Sequence, residues 1–213
     1  LNPLQINLSK DAILRKGICK TLVSTFPSTT TNATTSLATN TYPLQHGWLG
    51  WSLNFPEINR NLDIYMGKDS QTEENVEYKM PLADNTEYYF DKAHTDYQIN
   101  SIFMPYCKVK NAEQNTYVTN QFQLCEKIKE IISRPSKQFV YAYYENPDQI
   151  MHTFGVSSKE AKNNIQSIND EIQKLYDESQ DTLFIITADH GQVDITGYVD
   201  CYNVKELNDM LVC

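Results

Sequence analysis

The chain has 213 residues, of which 40% are hydrophobic and 21% are charged, and its formal net charge is −9. This length allows one sizeable domain with a buried core, and the composition is that of an ordinary globular protein. A nucleic-acid polymer is not expected as a partner, because binding one requires a basic face. A small phosphorylated substrate remains compatible with the negative charge, since bound metal ions can supply local positive charge.

The cysteines and the hydropathy bear on the compartment. Five widely spaced cysteines form no Cys-x-x-Cys motif, and they are Cys19, Cys107, Cys125, Cys201 and Cys213. We interpret them as mostly free thiols of a reducing compartment, which predicts a cytoplasmic location. No run of residues is long and apolar enough to span a bilayer, and no signal peptide is visible after Leu1.

The first predicted elements lead into a threonine-rich segment. Residues 11–17 predict a helical turn that ends in a glycine. The β-prone run 18–25 predicts a strand that stops at Pro27, and residues 30–39 predict a helix. A hydroxyl between a strand and a helix N-terminus suits phosphate chemistry, because the free N–H groups and the helix dipole favour an anion. The alternative is that these hydroxyl residues are ordinary helix caps.

The middle of the chain differs in character from both ends. Residues 40–47 predict a polar loop, which carries His46. Residues 52–120 are rich in Tyr, Asn, Asp and Glu, and we interpret them as a cap or insertion; the alternative is an irregular surface connection. The predicted organisation is one structural domain, with core segments 1–51 and 121–213 on either side of the cap.

The second half alternates predicted helices and buried strands. Helical periodicity predicts a helix over 120–133, and the apolar run 139–144 predicts a strand of a mainly parallel sheet. A capping box at Ser157 opens a helix that reaches about Gln180. A second apolar strand over 183–187 and a short helix over 204–211 follow. This order predicts a doubly wound α/β core.

Carboxylates and imidazoles follow both of these predicted strands. Asp148 and His152 lie in the loop after the first strand, and Asp189 and His190 lie at the tip of the second. Ligand sites of open α/β sheets lie at the carboxyl ends of strands. Two Asp, two His and a hydroxyl nucleophile predict a two-metal hydrolase, since zinc takes carboxylate oxygen and imidazole nitrogen. For the first pair, the alternative is a surface carboxylate beside an unrelated histidine.

Three segments, in this order, resemble the alkaline phosphatase superfamily, specifically its branch of type I phosphodiesterases and nucleotide pyrophosphatases. Residues 26–47 are similar to that family's aromatic-Pro-Ser/Thr-x-Thr, Thr-x-Leu-x-Thr and Tyr/Pro-Pro-x-x-His-Gly patterns. Residues 148–152 match its Asp-x-x-x-His, and residues 189–191 match its Asp-His-Gly. The resemblance covers most of the chain and implies an alkaline-phosphatase-like α/β fold, doubly wound around a mainly parallel sheet.

The resemblance also implies roles for individual residues. Thr30 would be the nucleophile, with its neighbours Thr29 and Thr31 as the alternatives. His46, just past the nucleophile helix, would order a loop rather than bind a metal. Two divalent metal ions are implied, with zinc expected: one is bound by Thr30, Asp189 and His190, and the other by Asp148 and His152. A Thr hydroxyl is a poor nucleophile until a metal lowers its pKa, which explains a hydroxyl among the ligands.

The sequence departs from the family's pattern in three places. No strand ending in Asp-Gly precedes Ile18, and no His follows His190, so each ion lacks one expected ligand. We expect the chain to be a fragment, without a strand in front and a longer segment behind. Many relatives place an Asn three residues after the nucleophile, where this chain has Ala33. The adjacent Asn32 is the candidate substrate contact, and backbone N–H groups after Thr30 could share that role.

The sequence therefore predicts a metal-dependent hydrolase of phosphate esters, most specifically a phosphodiesterase or nucleotide pyrophosphatase acting on a small phosphorylated substrate such as a nucleotide. One competing hypothesis is a phosphomonoesterase or phosphonate hydrolase on the same core. The other is a non-catalytic binding protein with an incomplete metal site. A sulfatase is disfavoured, because the Cys/Ser-x-Pro-x-Arg signature is absent. The sequence leaves open whether the ester is a diester or a monoester, and the oligomeric state.

Overall fold

The computed structural model describes residues 3–78, 87–88, 96–105 and 115–210. Its regular elements, in chain order, are α1 (Pro3–Asn7), α2 (Ile13–Lys16), α3 (Thr30–Thr39), α4 (Pro43–His46), β1 (Ser52–Phe55), β2 (Arg60–Asp63), β3 (Lys68–Asp69), β4 (Gln98–Phe103), β5 (Asn115–Tyr117), α5 (Gln121–Ile132), β6 (Gln138–Ala142), α6 (Asp148–Phe154), α7 (Lys159–Asp177), a 3₁₀ turn (Cys201–Asn203) and α8 (Lys205–Asn208). Within these residues, no helix has the length and apolar character that crossing a bilayer requires.

The described residues contain six strands, which form two sheets of three strands each. β1, β2 and β3 make an antiparallel meander, in which Leu53 lies opposite Leu62. β4 lies between β5 and β6 and is parallel to both, with Ile102 opposite Thr116 on one side and Ala142 on the other. Parallel strands need a crossover connection, and α5 connects β5 to β6. The predicted α/β fold with a parallel sheet is confirmed.

Two apolar clusters hold the helices in place. In the first, α5 packs on the parallel sheet through four buried side chains: Ile102, Val118, Leu124 and Ile131. The second joins the N-terminal segment to α6 and α7 through Leu8, Ala12, Met151, Val156, Ala161 and Ile165. α7 contacts α1, α2, α5 and α6. It is therefore the helix that fixes α6, and α6 carries two of the candidate ligands.

Several predicted helices form with close to the predicted bounds. α3 spans 30–39 as predicted and ends at Asn40, which adopts the left-handed conformation at φ 53°. α5 begins after Asn120, whose side-chain oxygen accepts from the Gln123 N–H at 2.9 Å. The cap of α7 is Ser158 rather than the predicted Ser157, because the Ser158 Oγ accepts from the Ala161 N–H at 3.0 Å.

Two predicted strands are wrong for this structure. Segments 18–25 and 183–187 belong to no sheet among the described residues. Most of their apolar side chains are exposed, with Val23 at 98% and Leu183 at 84%. An extended segment becomes a strand only when a neighbouring strand accepts and donates its backbone hydrogen bonds. In the part of the chain that is described, no strand lies beside either segment.

Other boundaries also need correction. The predicted loop 40–47 contains α4, and the predicted loop that carries Asp148 and His152 forms α6 from Asp148 onward. β4 and β5 lie within the predicted cap, 52–120, and belong to the parallel sheet that also contains β6. The cap itself stays a prediction, and part of it (79–86, 89–95 and 106–114) lies outside the described residues. The last helix is shorter than predicted.

Candidate active site

Thr30 is the threonine of its cluster that faces the other candidate residues. It is the first residue of α3, directly after the N-cap Thr29, and its Oγ1 lies 3.2 Å from Nε2 of His190. Thr31 is fully buried and donates to the carbonyl of Gly50 at 2.7 Å. The Thr29 hydroxyl lies against that of Thr31, at 3.1 Å. These contacts therefore favour Thr30 over Thr29 and Thr31 as the candidate nucleophile.

Asp148 and His152 lie one turn apart on α6. The four-residue spacing places both side chains on one face of the helix, with His152 Nε2 3.5 Å from Asp148 Oδ2. Asp148 stands in the first turn, where the helix dipole stabilises a negative charge. The sequence prediction of an Asp and a His that act together is thus compatible with the structure, although on a helix rather than on a loop.

Asp189 and His190 lie on an irregular segment and are held by contacts with distant residues. The hydroxyl of Ser24 donates to the backbone carbonyl of Asp189 at 2.6 Å. The Nδ1 of His190 lies 3.1 Å from the carbonyl oxygen of Gly191. Because a carbonyl can only accept, Nδ1 is the donor in this contact, and in the neutral ring Nε2 then carries the lone pair. Nε2 is the ring nitrogen that faces the Thr30 hydroxyl.

The five predicted residues meet at one place. Nε2 of His190 lies 3.6 Å from Asp189 Oδ2 and 3.9 Å from Asp148 Oδ1, in addition to its contact with Thr30. His152 joins this group through Asp148. Three parts of the chain, around residues 30, 148 and 190, therefore supply one hydroxyl, two carboxylates and two imidazoles.

The donor set fits a divalent metal ion in its chemistry. Zinc accepts carboxylate oxygen and imidazole nitrogen, and ligands about 2.0–2.1 Å from a tetrahedral ion lie about 3.3 Å from one another. The distances of 3.2, 3.6 and 3.9 Å around His190 Nε2 are close to that value. No three His, Cys, Asp or Glu side chains of the described residues already form a metal cage. The donors are therefore gathered without being in a closed coordination geometry.

Asn32 does not lie where a substrate contact would need it. Its side chain is fully buried, and its amide Nδ2 donates to the carbonyl of Pro27 at 3.0 Å. Its Oδ1 is buried as well and has no hydrogen-bond partner. Asn32 therefore fastens the loop before α3, and the predicted contact with a phosphoryl oxygen is not supported by this position.

His46 orders the loop after α3, as predicted. It is fully buried, with Nδ1 accepting from the Trp48 N–H at 3.0 Å and Nε2 lying 2.9 Å from the Ser36 hydroxyl. Since Nδ1 accepts, the proton lies on Nε2 and is donated to Ser36. Burial lowers the pKa of His46 below its ordinary value of 6.5. The neutral ring thus joins α3 to α4 and stands apart from the metal donors.

An aromatic pocket lies one turn beyond Thr30. Thr34 donates to the Thr30 carbonyl at 2.6 Å, and its hydroxyl also contacts the Tyr65 hydroxyl. The residues that line this pocket are Thr34, Thr35, Ala38, Tyr65, Tyr88, Phe103, Tyr141 and Tyr143. Tyrosines of the predicted cap and of the segment after β6 therefore stand together near the candidate nucleophile.

Two contacts of the site were missed by sequence reasoning. Ser24 reaches Asp189 across 165 positions, and the Gln192 amide donates to Asp148 across 44 positions. No local pattern marks either residue, because a serine in an extended run and a glutamine after Asp-His-Gly resemble ordinary surface residues. Only the meeting of the three segments reveals them.

Comparisons with known proteins agree with this arrangement. A family model described as type I phosphodiesterase / nucleotide pyrophosphatase matches residues 11–212. Murine ectonucleotide pyrophosphatase / phosphodiesterase 5 has a similar structure, with 16% identity and a TM-score of 0.51 over 73% of this chain. An inactive threonine-to-alanine variant of that murine protein, in complex with AMP, gives 18% identity, a TM-score of 0.51 and the same coverage.

These identities show the fold alone, and this chain spans 42% of the length of the murine structures. No curated protein sequence matches the chain. The family model, in contrast, extends over nearly all of the sequence, including Thr30, Asp148, His152, Asp189 and His190. The chain belongs to the type I phosphodiesterase / nucleotide pyrophosphatase family.

Proposed function

We propose that this protein hydrolyses phosphate esters, as a phosphodiesterase or nucleotide pyrophosphatase with Thr30 as its nucleophile. One observation carries the proposal: the Thr30 hydroxyl lies 3.2 Å from Nε2 of His190. Asp148 and Asp189 lie within 4 Å of the same nitrogen. A hydroxyl at a helix N-terminus beside grouped carboxylates and imidazoles is the chemistry that attack on phosphorus requires.

The proposed reaction has two steps. Thr30 Oγ1 attacks phosphorus in line, the leaving alcohol or phosphate departs with its bonding electrons, and a phosphothreonine forms. Water then attacks that phosphorus, which releases the product and restores the Thr30 hydroxyl. The first-turn N–H groups of α3 have no acceptor within the helix, so they are available to a phosphoryl oxygen.

The proposal includes divalent metal ions, with two zinc ions as the specific form. The family is generally dependent on divalent metals. Asp189, His190 and Thr30 would hold one ion, and Asp148 and His152 the other. Bound ions would lower the pKa of the hydroxyl and of water and neutralise the charge of the phosphate. Two closed four-coordinate sites need further ligands beyond these five residues.

The proposed substrate is a small phosphorylated molecule, with a nucleotide as the first candidate. The murine relative in complex with AMP supports this class.

We also propose a cytoplasmic location, since Cys19, Cys125 and Cys201 are free thiols and a reducing compartment preserves thiols. Cys107 and Cys213 lie outside the described residues.

The test combines zinc content with hydrolysis of p-nitrophenyl phosphate and bis-p-nitrophenyl phosphate. We expect bound zinc and faster cleavage of the diester, and Thr30→Ala should lower turnover by more than about a thousandfold. Thr29→Ala is the matched control and should keep activity within a few-fold, because the Thr29 hydroxyl lies against Thr31.

Each other outcome contradicts part of the proposal. Normal activity of the Thr30→Ala variant would refute the assignment of Thr30 as the nucleophile. Faster cleavage of the monoester would change the assignment to a phosphatase. A folded protein that takes up no metal and turns over neither ester would refute the enzymatic function in favour of binding alone.

A further inference from the structure

The residues that follow His190 fasten both ends of α6. The side-chain amide of Gln192 donates to the Asp148 carbonyl at 3.3 Å and to the Asp148 Oδ1 at 2.5 Å. Two residues later, the Oδ1 of Asp194 accepts from the Val156 N–H at 2.7 Å. We call residues 192–194 the strap. The strap begins two residues after the candidate ligand pair Asp189 and His190. It contacts α6, the helix that carries the other pair, Asp148 and His152.

The first contact restricts the carboxylate of Asp148. An unbonded carboxylate rotates freely, whereas an oxygen that accepts from a fixed amide is held in one orientation. In that orientation Oδ2 lies 3.5 Å from His152 and Oδ1 lies 3.9 Å from His190. The amide of Gln192 is neutral, so it orients the carboxylate without cancelling the negative charge that would attract a cation.

The second contact depends on a glycine. Gly155 has a φ of +90°, and a Cβ at this position would lie 3.0 Å from Asp194 Oδ1. A side chain at 155 would be strained by the backbone conformation and would push Asp194 away. The glycine therefore lets the carboxylate reach the Val156 N–H just beyond the C-terminal end of α6.

We infer that Gln192 and Asp194 are positioning residues, which hold α6 against the segment 189–190 so that the two pairs of candidate ligands keep one spacing. The consequence for metal binding rests on the proposed function, whereas the contacts of the strap with α6 can be tested without metal. Groups that hydrogen-bond to metal-ligating carboxylates orient them, and their loss typically weakens metal binding about 10–100-fold.

The first experiment measures hydrogen–deuterium exchange of the full, metal-free chain. Gln192→Leu removes the amide at similar volume and should speed exchange of residues 148–156 about tenfold, because a hydrogen bond to a charged group is lost. Gln166→Leu is the matched control, since Gln166 also donates to an aspartate, Asp170, at 2.8 Å on the exposed face of α7. It should leave exchange at 148–156 unchanged. Unchanged exchange in the Gln192→Leu variant would overturn the inference that the strap holds α6.

The second experiment titrates the same variants with Zn²⁺. Gln192→Leu and Asp194→Ala should weaken zinc binding about 10–100-fold, while Gln166→Leu should not. Asp194→Asn keeps an oxygen acceptor for the Val156 N–H and should bind zinc within a few-fold of the parent. A parent-like affinity in the Gln192→Leu variant would overturn the positioning role. If the parent chain takes up no zinc, the proposed function fails. The hydrogen–deuterium exchange result then decides by itself whether the strap holds α6.

Discussion

The two pairs of candidate ligands are held in different ways. Asp148 and His152 occupy one turn of α6, and the intervening Met151 is buried in the core against α7. Asp189 and His190 lie on an irregular segment that joins no sheet among the described residues, and the hydroxyl of Ser24 and the strap hold it. A helix fixes a pair through its own repeat, whereas an irregular segment depends on contacts with residues far away in sequence.

The largest expected effect compares the two histidines. The His190 side chain is 12% exposed and contacts Thr30, whereas that of His152 is 70% exposed. His190→Ala should lower kcat/KM for bis-p-nitrophenyl phosphate by more than about 100-fold, beyond the loss usual for residues outside the ligand set. His152→Ala should cost less. Equal losses in the two variants would show that the histidine contacting the nucleophile has no special role.

The packing that holds α6, and with it Asp148 and His152, can be tested by replacing Met151. Met151→Ala should lower the free energy of unfolding by about 2–5 kcal/mol, because it opens a cavity between α6 and α7. Denaturant unfolding measures this change. Met210→Ala is the control, since Met210 is 71% exposed against 8% for Met151, and it should change stability by less than about 0.5 kcal/mol. Similar values for the two variants would contradict the packing.

The support of the other pair can be tested through Ser24. Ser24→Ala removes one neutral hydrogen bond, worth about 1 kcal/mol, and should lower kcat/KM about fivefold by loosening the Asp189 carbonyl. Ser133→Ala removes a similar bond, from the Ser133 hydroxyl to the carbonyl of Lys129, far from the site. It should leave kcat/KM unchanged. A loss of activity in both variants would indicate general destabilisation instead.

The smallest effect concerns the loop after α3. The pKa of His46 is lowered by burial, so the unfolded chain takes up a proton at a higher pH than the folded chain does. Stability from the neutral ring is therefore present above about pH 6.5 and is lost as the pH falls through the lower folded pKa. Urea unfolding from pH 7.5 to 5.5 should show this slope, and His46→Gln should flatten it. An unchanged slope would rule out His46 as its source.

The residues of the candidate site could be named from the sequence, because they lie in short motifs that resemble those of a known family. The first residue of α3 carries the predicted nucleophile, and Asp148 and His152 are brought together by four-residue spacing that needs only a helix. Asn32 was predicted to contact the substrate because it lies next to Ala33, yet its side chain lies on a buried face of α3. Position in sequence identifies a helical neighbour, but the packing decides which face meets the site.

By itself, the sequence determined the helices and the identity of the chemical groups. Helices α3, α5 and α7 satisfy their hydrogen bonds within four residues, so local patterns suffice to place them. The contact of Thr30 with His190, the strap on α6 and the entry of β4 into the parallel sheet were decided only by the tertiary structure. These features join residues tens of positions apart, and a strand or a side-chain contact exists only when its partner is beside it.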